Sequence, residues 1–75
     1  MTKLAELRIG ESARVREIDA QDEIGLRLLE MGLTPGVEVS LIGTAPLGDP
    51  LEIELRGYRL SLRKNEAARV DVELL

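Results

Sequence analysis

The run Leu28-Leu29-Glu30-Met31-Gly32-Leu33-Thr34-Pro35-Gly36-Val37 constrains this chain more than any other stretch. It reads as the end of a helix, a glycine stop, a Pro-Gly turn and the first residue of a strand. Gly32 suits the position just past a helix, where the backbone turns left-handed, and Leu33 suits the apolar contact that follows it. Pro35 presets its own backbone angle, and Gly36 accepts the positive angle of a type II turn. A short helix is thereby passed through a tight corner into a strand-rich remainder. The corner is made for packing, not for chemistry.

The residues around the corner alternate. Val37, Val39 and Leu41 interleave with Glu38, Ser40 and Ile42, so the strand buries its second face at Ile42. Leu51, Ile53 and Leu55 interleave with Glu52, Glu54 and Arg56, and Val70, Val72 and Leu74 with Asp71 and Glu73. Upstream, after a Gly10-Glu11-Ser12 turn, Ala13 and Val15 oppose Arg14 and Arg16. Alternation with period two marks half-buried strands. Gly57-Tyr58 is expected to turn the chain back into Arg59-Leu60-Ser61-Leu62-Arg63, whose inward pair is Leu60 and Leu62. Asp19 is expected to cap the helix, with Asp22 and Glu23 in its favourable first turn. Ile24, Leu28 and Met31 then recur at helical spacing, with Leu29 widening the stripe. Gly25 inside that helix costs about 1 kcal/mol relative to alanine, which points to a close backbone approach. Lys64-Asn65-Glu66-Ala67-Ala68 reads as one further helical turn. Five short strands with one helix after the first predict a mainly β fold: a small, closed or nearly closed antiparallel barrel. Closure also removes exposed strand edges.

Seventy-five residues make one domain, 1–75, with a small core. The chain has no cysteine and no histidine, which removes the thiol nucleophile, the thiolate metal site and the commonest general base. Ser12, Ser40, Ser61, Thr2, Thr34 and Thr44 have no base placed by motif, and the seven glycines form no phosphate loop. No catalytic residue, cofactor or resident metal is therefore assigned, and an enzyme is not expected. No apolar run approaches the ~20 residues of a membrane span, and the first residues lack a signal-peptide core. A cytoplasmic protein is expected. The net charge of −4, with Tyr58 as the single aromatic residue, argues against nucleic acid as the main partner. Yet residues 56–69 carry Arg56, Arg59, Arg63, Lys64 and Arg69 against Glu66 alone, a local charge of +4.

Three segments resemble one family. The corner Leu28-Leu29-Glu30-Met31-Gly32-Leu33-Thr34-Pro35-Gly36 is similar to the helix-end motif of the ferrous iron transport protein A family. So are Ala45-Pro46-Leu47-Gly48-Asp49-Pro50 and Leu60-Ser61-Leu62-Arg63-Lys64 followed by Glu66-Ala67. They come in the family's order and span nearly the whole chain. The resemblance implies an SH3-like barrel of five to six antiparallel strands. It also implies a cytosolic accessory role in bacterial ferrous iron uptake. The implied partner is the membrane ferrous iron permease with its cytosolic GTP-binding domain, with recruitment to the inner face of the membrane and no insertion into it. The same barrel occurs in metal-dependent repressors, so action on such a repressor is the alternative. The family offers no settled catalytic residues to carry over.

The residues nominate contact points, each against a plainer role. Leu47 sits in a loop stiffened by Pro46 and Pro50, where it is a candidate apolar anchor for a partner. Leu33 closes the helix end and is a second, weaker candidate. Arg59, Ser61 and Arg63 share the outward face of one strand with Lys64 beyond, a patch that would steer an acidic partner. Pairing with Glu52, Glu54, Asp71 or Glu73 across strands is the plainer reading of those cations. Met31 reads as core filler before it reads as a sulfur ligand. Asp19, Asp22 and Glu23 read as capping residues before they read as a cation site.

Overall fold

In a computed structural model, residues 2–75 of the chain are described. The elements are β1 (Thr2–Lys3), a 3₁₀ turn (Leu4–Glu6), β2 (Ser12–Ile18), α1 (Glu23–Glu30) and β3 (Glu38–Thr44). They continue with β4 (Leu51–Leu55), β5 (Tyr58–Leu62), α2 (Lys64–Ala67) and β6 (Val70–Leu74). All six strands form one antiparallel sheet in the order β1-β6-β2-β3-β4-β5. The predicted alternation holds along most of it: Ala13, Val15, Val39, Leu41, Leu51, Ile53, Leu55, Leu62, Val70 and Val72 are buried in one cluster. Leu60 on the edge strand is only half-buried, and Leu74, next to the chain end, is 49% exposed. A single sheet face can enclose its own core only by rolling up. Bulges between Val15 and Glu17 and between Leu41 and Gly43 bend β2 and β3, and bulges of this kind sharpen strand curvature. Ile42, at the second bulge, is half-buried. The end strands β1 and β5 do not pair with each other; α2 packs on the 3₁₀ turn instead, so helical segments bridge the seam. β1 is the sixth strand. Its two residues are too few to show a period.

The corner forms as its residues dictate. Gly32 has φ of 108°, its N–H donates to Leu29 O at 3.0 Å, and Leu33 N–H donates to Leu28 O at 3.2 Å. Those are the paired bonds of a Schellman cap, which uses otherwise orphaned helix carbonyls. Val37 N–H closes the Pro35-Gly36 turn onto Thr34 O at 3.1 Å. Gly36 N–H to Val15 O and Val15 N–H to Val37 O then stitch the corner onto β2.

The start of α1 differs from expectation in one respect. Asp22, not Asp19, is the cap: its Oδ1 accepts from Gly25 N–H at 3.0 Å, while Asp19 Oδ1 takes only a 3.4 Å bond from Gln21 N–H. Gly25 explains the shift. A Cβ built there would lie 2.2 Å from Asp19 O and 2.5 Å from Ala20 Cα. Residues 19–20 therefore run beneath the helix rather than into it. This is the close approach that a mid-helix glycine implies. The apolar stripe is also narrower than its spacing suggests: Gly25 and Leu28 are buried and Met31 packs half-buried on the core, but Ile24 is 39% exposed.

The β4–β5 turn is displaced by one residue. Leu55 pairs with Tyr58, so the turn is Arg56-Gly57, with φ of 49° and 84°. Two positive angles define a type I′ turn, the form that matches strand twist. Arginine in that conformation is strained, and no local signal predicts it. Arg56→Asn should relieve the strain and raise stability by roughly 0.5–1 kcal/mol, read as a shift in the urea midpoint. An unchanged or lowered midpoint would contradict this reading of the turn.

Candidate functional site

Four of the five nominated contact residues are on the surface and one is not. Leu33 is 0% exposed inside the core cluster. It cannot touch a partner in the folded chain, because the Schellman cap turns its side chain inward. Leu47 is the opposite case at 96% exposed. Its loop is closed at the base by Ala45 N–H to Pro50 O at 3.0 Å and folded at the tip by Gly48 N–H to Ala45 O at 2.7 Å. Those bonds hold an apolar side chain in water, an arrangement that core packing does not require.

Asp49 ties this loop to the basic segment. Its Oδ1 accepts from Lys64 N–H at 2.9 Å, which sets the loop against the first turn of α2. Ala5, Asp49, Arg63, Lys64, Asn65 and Ala68 line a shallow depression there of about 460 Å³. Leu47's loop, Arg63 and Lys64 thus belong to one end of the barrel. Arg59 lies four residues back along the chain from Arg63, about 13 Å at strand spacing. Sequence reasoning missed Asp49 as the link. A carboxylate one residue before a proline gives no hint of a contact fifteen residues away.

The cations divide into paired and unpaired sets. Among the described residues, Lys3 pairs with Asp71 at 2.5 Å, Arg14 with Glu38, Arg16 with Glu73, Arg27 with Glu66, and Arg69 with Asp22. None of these pairs involves Arg56, Arg59, Arg63 or Lys64. Glu54 stands opposite Arg59 across β4–β5, yet forms no ion pair with it, and Asp71 and Glu73 have other partners. Arg69 leaves the patch altogether. Glu66, the one acid in the basic stretch, is 9% exposed: it accepts from Arg63 N–H at 3.0 Å and holds Arg27. Its charge is engaged inside the fold. The patch keeps four cations that enter no ion pair.

Of the acidic residues before α1, Asp22 is the one with a structural role. Asp22 accepts from Gly25 N–H and receives both Arg69 nitrogens at 2.5 and 2.7 Å. The described residues contain no group of three or more metal-capable side chains. The Arg69 guanidinium, with the Gly25 N–H adding to it, holds the Asp22 carboxyl below its ordinary value. A depressed carboxyl contributes stability above its unfolded pKa and loses it as pH falls through the folded one. The first turn of α1 should therefore fray as pH drops below about 4. The protection factor of the Gly25 amide, its exchange corrected for the intrinsic rate at each pH, should fall there in the native chain and change far less in Asp22→Asn. Identical profiles would remove Asp22 from this role.

The fold defines the class: a small SH3-like barrel, in which one end carries an exposed loop and unpaired cations. The sequence model of the FeoA domain matches residues 2–74, and the chain belongs to the FeoA family. It is 34% identical over 73 residues to the Fe(2+) transport protein A/Fe(2+) transporter FeoB fusion protein of Porphyromonas gingivalis, covering 97% of this chain. The chain spans only 9% of the length of that relative. The FeoA-like protein of Clostridium acetobutylicum superposes with a TM-score of 0.90 at 41% identity, covering 100% of this chain and 91% of that one. Stenotrophomonas maltophilia FeoA, a zinc complex described as an SH3 domain protein, gives 0.86 at 36% identity, covering 97% and 91%. A manganese-dependent transcriptional repressor gives 0.88 at 16% identity over 99% of this chain and 36% of that one, a likeness of fold alone. The family is thus associated with ferrous iron transport. No helix among the described residues is long and apolar enough to cross a membrane.

Proposed function

We propose that this chain is a cytoplasmic accessory protein of ferrous iron uptake. It acts by docking on the membrane iron permease that carries a cytosolic GTP-binding domain. The observation that carries the reading is the fused relative, where a domain similar to this one shares a polypeptide with an Fe(2+) transporter. Covalent linkage of such a domain to a transporter in one organism supports physical association of this chain with a permease. Leu47 supplies the apolar anchor, and Arg59, Arg63 and Lys64 supply the charge that speeds encounter with an acidic surface. No catalytic role is proposed. The alternative partner, a metal-dependent repressor, has only the shared fold behind it.

The test is titration of the isotope-labelled chain with full-length permease in a lipid nanodisc, followed by NMR. Shifts should centre on residues 45–50 and 59–64. Leu47→Ala and Arg63→Glu should each weaken binding, by about tenfold at low salt for the charge reversal. No perturbation by the intact permease would sink the proposal. Recovery of a repressor rather than the permease on pull-down would favour the alternative.

A further inference from the structure

The sheet has one free edge long enough to accept another strand. β5 pairs with β4 alone, at one end of the sheet order. A two-residue turn makes Leu55 and Tyr58 a hydrogen-bonded pair, and such pairs then alternate along the hairpin. The main-chain groups of Tyr58, Leu60 and Leu62 therefore face β4, while those of Arg59 and Ser61 face outward. Among the described residues no main-chain group outside the β4–β5 ladder bonds to Arg59 or Ser61. Burial agrees. Leu60 points toward the core yet is only partly buried, whereas Ile53, its partner on β4, is 0% exposed. The inward row is covered at Leu62, 1% exposed beside α2, and opens toward the hairpin turn at Leu60 and at Tyr58, which is 42% exposed.

Charge selects the occupant. Four of the cations outside any ion pair, Arg56, Arg59, Arg63 and Lys64, lie along or at the ends of this edge. Glu52 and Glu54 stand one strand further in, opposite Ser61 and Arg59. An added strand would sit about 5 Å from β5 and about 10 Å from β4, so it meets the cations first. A second copy of this chain pairing edge to edge would set those cations against their own kind, which disfavours self-association. We propose that β5 is a docking edge for an extended acidic segment of a protein partner, added as a seventh strand through the Arg59 and Ser61 main chain. The permease of the preceding section is one candidate source, but the edge and its charge stand without it.

The probe is a synthetic peptide of about eight residues alternating glutamate with valine, added to the folded chain at millimolar concentration. Amide exchange at Arg59 and Ser61 should slow by at least about tenfold, while Tyr58, Leu60 and Leu62 stay as they were. A peptide with lysine replacing glutamate should protect neither amide. Ser61→Pro removes the outward N–H while keeping every charge, which an edge strand tolerates, and should weaken peptide binding by about tenfold. Should that variant not fold, Arg59→Glu probes the same edge through charge and should weaken the glutamate peptide to a similar degree. Absent protection, protection without the alternation, or equal binding of the lysine peptide would each overturn the proposal. So would protection in the free chain that grows with its own concentration. Permease binding without alternating protection by the glutamate peptide overturns this edge and spares the permease reading. Alternating protection by the peptide without permease binding does the reverse.

Discussion

Gly25→Ala is expected to destabilise the fold by about 3 kcal/mol or more, against roughly 4–11 kcal/mol for a whole domain of this size. Helix propensity alone argues the opposite, since alanine in mid-helix is favoured over glycine by about 1 kcal/mol. The contact decides the sign. The new Cβ would lie 2.2 Å from Asp19 O and 2.5 Å from Ala20 Cα, and both are main-chain atoms with no rotamer to yield. Relief requires lifting α1 off the chain beneath it, which would loosen Leu28 in the core and the Asp22 cap. Gly43→Ala is the control, because its Cβ would meet nothing within 4 Å and its φ is not in the left-handed range. Urea unfolding of both variants should show a large loss for the first and little change for the second. Equal stabilities would mean that α1 is not held down at Gly25.

Leu33→Ala and Leu47→Ala should separate folding from binding. Leu33 is wholly buried behind the helix stop, so truncation leaves a cavity and should cost about 3 kcal/mol, within the usual 2–5 kcal/mol. Leu47 is 96% exposed and supports nothing, so its truncation should change stability by less than about 0.5 kcal/mol. The binding consequence is reversed. Leu47→Ala should reduce affinity for the permease with no change in melting temperature. Leu33→Ala should retain affinity in whatever fraction stays folded. Calorimetric melting beside the permease titration reads both quantities. A stability loss at Leu47 would show that the loop packs, and would remove it as an anchor.

What the sequence disclosed depended on how local the cause was. The corner at residues 32–37 was readable because a left-handed stop and a Pro-Gly turn are each set by one or two residues. The strand faces were readable because alternation reports burial directly, down to Val70 and Val72 at the end of the chain. The cap was misplaced because Asp19 and Asp22 are equivalent candidates locally. Only the seating of Gly25 on residues 19–20 chooses between them. The hairpin turn slipped by one because Gly57 advertises a turn but does not say which neighbour shares it, and arginine rarely adopts positive φ. Ile24 looked internal because spacing gives a direction around the helix axis but not the width of what the helix rests on. The surface was legible in composition and not in wiring. The basic run was evident, whereas the withdrawal of Arg69 and Glu66 from it depends on partners 47 and 39 residues away.

Tyr58 is the single aromatic side chain, and its hydroxyl donates to Met31 O beside Gly32. Every near-ultraviolet signal of the chain therefore arises at one joint, where the β4–β5 hairpin meets the end of α1. An optical melt records the opening of that joint, while far-ultraviolet dichroism records the backbone as a whole. Coincidence of the two curves would establish that the hairpin and helix part company only when everything else does.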